Sequence, residues 1–179
     1  MAATGATGQG RANTRVNVSG RGQTNVGTGV PVLDHLLTLL ATYASFDLSL
    51  DVEPGSAEVE ITTAARSLGE ALYEPLRADD ARGHGSGVVP VDEALAHVAL
   101  EASGRPLLVS NVDLSQARIA GLAGDLGASF LDELAQSAGL TLHVRLVEGS
   151  DTQHVLEAIF KALGVALEQA CRPRGRTGE

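Results

Sequence analysis

His154, Glu157 and Lys161 stand at offsets 0, 3 and 7. On a helix that spacing puts all three on one face. An imidazole nitrogen and a carboxylate oxygen one turn apart suit manganese, iron or zinc. The same spacing also fits a solvated helix face with a Glu157–Lys161 ion pair. Two more histidines add to the inventory. His35 follows Asp34 early in a predicted helix, and His143 shares a strand face with Arg145, opposite the apolar Leu142 and Val144. Arg105 sits at the corner Ser103-Gly104-Arg105-Pro106. A guanidinium there can clamp a phosphate with paired hydrogen bonds, or simply be a turn residue. Nothing in the chain has the order of a Ser-His-Asp triad. The glycines from Gly5 to Gly10 do not follow a predicted strand, so they lack the context of a dinucleotide site.

These side chains need elements to hold them. Val16 and Val18 alternate with polar neighbours and predict a strand, with a turn at Gly20 and Gly22. Pro31 suits the first turn of a helix carrying Leu33, Leu36, Leu37 and Leu40. Residues 46–52 alternate cleanly as a half-buried strand, followed by a helix over about 62–76. The stretch 78–87 reads as a loop, flexible or, over Gly83–Gly87, presenting backbone amides to an anion. Strands are expected around 96–100, 107–112 and 141–147, and helices over 126–138 and 152–171. Residues 1–10 read as a flexible lead-in and 173–179 as a loose tail.

The chain is self-similar. Leu33-Asp34-His35-Leu36 resembles Leu131-Asp132-Glu133-Leu134. Leu68-Gly69 and Leu163-Gly164 recur after matching strands that end in Gly55-Ser56 and Gly149-Ser150. Two copies of one helix–strand–helix unit follow, over 11–87 and 88–172. Each is too small to bury its apolar faces alone, so the halves should pack together. The fold class expected is α+β with duplicated half-domains. Composition narrows the functions. A net charge of −9 argues against a nucleic-acid surface. One cysteine, Cys171, leaves no internal disulfide or cysteine-based zinc site. There is no basic-then-apolar leader and no run of about 20 apolar residues, so a cytoplasmic protein without membrane contact is expected.

The sequence resembles the imidazoleglycerol-phosphate dehydratase family over roughly 14–171. The likeness rests on Thr28-Gly29-Val30-Pro31-Val32-Leu33-Asp34-His35, on Pro90-Val91-Asp92-Glu93-Ala94-Leu95, and on Ser103-Gly104-Arg105-Pro106. It also rests on Leu142-His143-Val144 and on Gln153-His154-Val155-Leu156-Glu157-Ala158-Ile159-Phe160-Lys161. It implies a lyase of histidine biosynthesis that removes water from a small phosphorylated imidazole. It also implies a cubic homo-oligomer of 24 chains with metal sites between them. Manganese, or another divalent metal, would bind the substrate imidazole as a Lewis acid. His35, His143, His154 and Glu157 fall on metal-ligand positions, and Arg105 and Lys161 on phosphate anchors. The family's loop arginine falls at or beside Gly83, with Arg82 as its substitute. No residue is assigned as the general base.

The chain also departs from the family pattern. The family's His-His-Thr-x-Glu-Asp block reads Ala57-Glu58-Val59-Glu60-Ile61-Thr62-Thr63 here, and its paired histidines on the last helix are reduced to Gln153-His154. The family's Gln and His late in the first helix appear as Leu39 and Tyr43. With those donors gone, one site from His35, His143, His154 and Glu157 is expected rather than two, with Glu58 or Glu60 as a replacement carboxylate. The same losses define the alternatives. One is a non-catalytic paralogue without a metal, serving as a scaffold or small-anion binder. Another is a plain interaction domain with incidental histidines.

Overall fold

The structure, a computed structural model, describes residues 10–115, 118–119, 122–123 and 125–175. The chain begins with β1 (Ala12–Asn17), β2 (Thr24–Gly27), α1 (Pro31–Ala44), β3 (Asp47–Val52) and α2 (Ala57–Tyr73). After a short 3-10 turn at Pro75–Arg77 come β4 (His84–Val91), β5 (Ala94–Glu101) and β6 (Leu107–Ser110). The two-residue strands β7 (Arg118–Ile119) and β8 (Leu122–Ala123) pair with each other. They precede α3 (Asp125–Ala138), β9 (Thr141–Glu148) and α4 (Thr152–Cys171).

The duplication is written in the topology. One sheet has the order β1-β3-β2, the other β4-β5-β9-β6. β3 runs antiparallel to β1 and parallel to β2. β9 runs antiparallel to β5 and parallel to β6. Each unit is thus two strands, a helix, a central strand inserted between the first two, and a second helix. β4 is the addition. The fold is α+β with duplicated half-domains.

Helices of opposite halves pair: α1 packs on α4 and α2 on α3, while α4 also covers β4 and β5. Leu37, Leu40, Phe46, Leu68, Leu72, Phe130, Leu134 and Phe160 are fully buried between these layers. Neither half has a core of its own. Burial of this shared apolar surface, at about 25 cal/mol per Å², is what holds the halves together.

Three elements differ from the sequence expectation. α2 starts at Ala57 rather than near 62, because Ser56 caps it by accepting from the Val59 N–H at 3.3 Å. β2, only four residues long, escapes any periodicity argument. The stretch expected as a loop up to 87 is strand from His84 onward. Its glycines face α4, where a Cβ on Gly85 would lie 2.2 Å from the Ala166 carbonyl oxygen and one on Gly87 2.5 Å from that of Ala162. Glycine there lets helix and strand close together. Residues 1–9 of the expected lead-in and 176–179 of the tail lie outside the described residues. The start of that tail is held, with Pro173 bridged to Ala81 and the Arg174 N–H donating to the Asp80 carbonyl at 2.6 Å.

Candidate functional site

The entry to α1 is built to fix His35. Pro31 occupies the first turn. The Asp34 carboxylate accepts from both the backbone N–H and the hydroxyl of Thr28, tying down the preceding turn. Gly29 has φ +84, and a Cβ there would lie 2.3 Å from a Glu60 carboxylate oxygen. Glycine is therefore required twice over, by backbone angle and by space. The other Glu60 oxygen accepts from the Gly55 N–H at 2.9 Å. Glu60 is buried, with one oxygen bonded to the Gly55 amide and the other packed beside Gly29. Through the Gly55 amide it ties the start of α2 to the turn before it. Glu58, in the first turn of α2, is exposed.

From this entry His35 meets Glu157 of α4. Its Nε2 lies 2.8 Å from Glu157 Oε1, across 122 positions of sequence. The histidine side chain is 53% exposed and the glutamate 15%. Glu157 therefore pairs with His35, not with Lys161. The Lys161 ammonium instead lies 5.2 Å from the centre of the Tyr43 ring.

One turn earlier on α4, His154 stands among carboxylates. Its Nδ1 lies 2.7 Å from Glu93 Oε2, and its Nε2 lies 3.4 Å from Asp92 Oδ2. Asp151 caps the helix by accepting from the His154 N–H at 3.1 Å. The second Glu93 oxygen accepts from the N–H of Asp151 at 2.8 Å and of Ser150 at 3.4 Å. The Asp151 amide above all, then the His154 ring, pulls the Glu93 carboxyl down to about 2. The hydrogen bond to Glu93, helped by Asp151 and Asp92, raises His154 above its ordinary value against a desolvation penalty. Asp92 and Glu93 lie in the Pro90–Leu95 motif, where the sequence assigns them no role. Their partner His154 lies 61 residues beyond Glu93, and the turn between β4 and β5 brings them to it.

The remaining candidates are spread out. His143 lies on the open face of the larger sheet, beside Ala99 and Val109. Arg105 holds its corner through backbone: its N–H donates to the Ser103 hydroxyl at 3.0 Å, and its carbonyl accepts from Thr141 at 3.2 Å. Arg82 lies at the far end of α4, in a surface cleft with His84, Arg172 and Arg174. Arg172 is eleven residues beyond Lys161, or about 16 Å along the helix axis. Among the described residues, no three His, Cys, Asp or Glu side chains converge on a point that could hold a metal ion. The carboxylates around His154 bracket opposite edges of its ring instead of sharing a centre. One chain thus offers donors in pairs. No described helix is long and apolar enough to cross a membrane.

A family profile described as Imidazoleglycerol-phosphate dehydratase matches residues 28–167. The imidazoleglycerol-phosphate dehydratase of Pelobacter propionicus is 37% identical over 171 residues, spanning 93% of this chain and 87% of that protein. That of Acetivibrio thermocellus is 39% identical over 166 residues, spanning 90% and 85%. The crystal structure of the Staphylococcus aureus enzyme superposes with a TM-score of 0.85 at 29% identity, covering 92% of this chain and 95% of that one. The Pyrococcus furiosus enzyme gives 0.84 at 27% identity, covering 97% and 95%.

Proposed function

The chain belongs to the imidazoleglycerol-phosphate dehydratase family, the dehydratase-like lyases of histidine biosynthesis, and from that premise we propose how its own residues serve the loss of water from imidazoleglycerol phosphate. His35 and Glu157 are the inner pair of the metal site. The observation that carries this is their 2.8 Å contact between two helices of opposite halves. Imidazole nitrogen and carboxylate oxygen fit a divalent first-row metal in kind, manganese by family resemblance. They fall short in number, so the remaining donors come from a second copy of the chain, with His143 on its exposed sheet face among them. His154 is the next donor along α4. A bound divalent metal supplies Lewis acidity toward the substrate imidazole.

The chain's own residues do the rest. His35 Nε2 and Glu157 Oε1 face each other at 2.8 Å and would be the nitrogen and oxygen donors of a divalent cation held there. Lys161, one turn beyond Glu157 on α4, carries a compact positive charge near the Tyr43 ring of α1. With Arg105 it anchors the phosphate. Arg82, among the arginines at the end of α4, serves a phosphate entering from a neighbouring copy. We read 11–87 and 88–172 as the two copies of the repeat, and a cytoplasmic setting as fitting the pathway. The scaffold or anion-binder alternative gains no support from the contacts seen.

Metal analysis of protein purified without chelator tests this reading, alongside turnover of imidazoleglycerol phosphate. Wild type should carry divalent metal in amounts comparable to the chain, and His35→Ala or Glu157→Ala should lose most of it together with turnover. Less than about a tenth of an equivalent in wild type rules the reading out.

A further inference from the structure

We propose that Glu93 is a positioning residue for His154: its carboxylate fixes the imidazole through Nδ1 and leaves Nε2 as the nitrogen that takes a ligand. The inference rests on the metal reading above.

The geometry is that of a carboxylate behind a ligating histidine. Nδ1–H donates to Glu93 Oε2 at 2.7 Å. A neutral ring so bonded carries its lone pair on Nε2. Glu93 is itself immobilised, because its other oxygen takes the Asp151 and Ser150 amides. Those amides belong to the cap of the helix that carries His154. One carboxylate therefore sets both the helix start and the ring angle. The loop between them is tight: a Cβ on Gly149 would lie 2.9 Å from Val155 Cγ2 and 3.0 Å from Ala94 Cβ. The hairpin tip and the α4 N-terminus are thus locked together.

Two other acids face the ring, and neither can do this work. Asp151 is 3.8 Å from Nδ1, and the same oxygen already accepts the His154 backbone N–H. Asp92 reaches Nε2 at 3.4 Å, but its side chain is 74% exposed. It is free to swing aside when a ligand arrives.

The test titrates the full chain with Mn2+ by calorimetry in wild type, Glu93→Gln, Glu93→Leu and Asp92→Asn. Loss of an outer carboxylate typically lowers metal affinity roughly 10–100-fold. Glu93→Leu should show that drop, and Glu93→Gln, which keeps an acceptor for Nδ1–H, a smaller one. Asp92→Asn should stay within about twofold. Pulsed EPR with Cu2+ as probe gives the reading a purely structural role would not move. The nitrogen remote from the metal senses its own hydrogen bond, so the His154 signature, identified by its loss in His154→Gln, should shift in Glu93→Leu. A wild-type chain that takes up no Mn2+ overturns the metal reading and this inference with it. Normal wild-type uptake, with Glu93→Leu affinity within about twofold of wild type and an unmoved His154 signature in that variant, overturns the inference alone.

Discussion

Glu93 and His154 depend on each other through opposite titrations, so their pair has a pH window. Glu93 titrates near 4.5 when unfolded and at about 2 when folded. Its contribution is complete above 4.5 and is lost as pH falls toward 2. His154 titrates near 6.5 when unfolded and higher when folded. Its contribution is complete below 6.5 and is lost as pH rises through the folded value. The two overlap fully between 4.5 and 6.5. Thermal melts of wild type and Glu93→Gln should therefore differ most in that window, converge as pH falls toward 2, and narrow only in part above it, where the Asp151 and Ser150 amides still hold the Glu93 carboxylate. A difference that keeps growing toward pH 9 contradicts the assignment. Metal loading runs the other way, since a cation competes with the His154 proton and gains as pH rises. At this scale the residue types were legible in sequence: His35, His154, Glu157 and Lys161 are visible as candidates. Their pairing was not. Helical spacing, the only geometry a sequence shows, leaves Glu157 open to an ion pair with Lys161 or to a metal role beside His35, and the contact that the structure shows is made from another helix.

Gly69 and Gly164, which mark the sequence repeat as Leu-Gly pairs, turn out to be the points where opposite halves touch. A Cβ on Gly164 would lie 2.4 Å from the Leu40 carbonyl oxygen, and one on Gly69 2.5 Å from Ser137 Cβ. Alanine inside a helix usually gains about 1 kcal/mol over glycine. Here that gain must be set against overpacking of about 1–3 kcal/mol. The obstacle at Gly164 is backbone, which cannot rotate away, so the steric cost wins. Gly164→Ala should lower the melting temperature by several degrees, at about 2–4 °C per kcal/mol. A rise would show that α1 and α4 are not so close. Helices and central strands were legible because Leu33 to Leu40 and Phe46 to Val52 carry plain periods of 3.6 and 2. β4 was not, because its Gly85 and Gly87 look like turn residues until α4 is laid against them.

Two halves sharing one core are legible in the sequence repeat, and the helix pairs α1–α4 and α2–α3 form that core; the apolar residues of the outer sheet face are not legible as a surface until the strands are in register. Val88, Leu107 and Val109 are 57%, 52% and 43% exposed and lie on the open face of the larger sheet. Strand register puts His97 opposite Val88 and His143 opposite Val109 on that same face. An apolar sheet face carrying a metal-type histidine suits contact with another copy. With a net charge of −9 per chain, copies repel at long range, so association should strengthen with salt as screening grows. Val109→Asp puts a charge into the contact without touching the core. In sedimentation it should shift the protein toward the single 18.4 kDa chain. If His143 completes a neighbour's His35–Glu157 pair, that same variant should weaken Mn2+ binding although no donor was changed. Wild-type affinity should also rise with protein concentration. A variant that dissociates yet binds metal as wild type does would place the whole donor set within one chain.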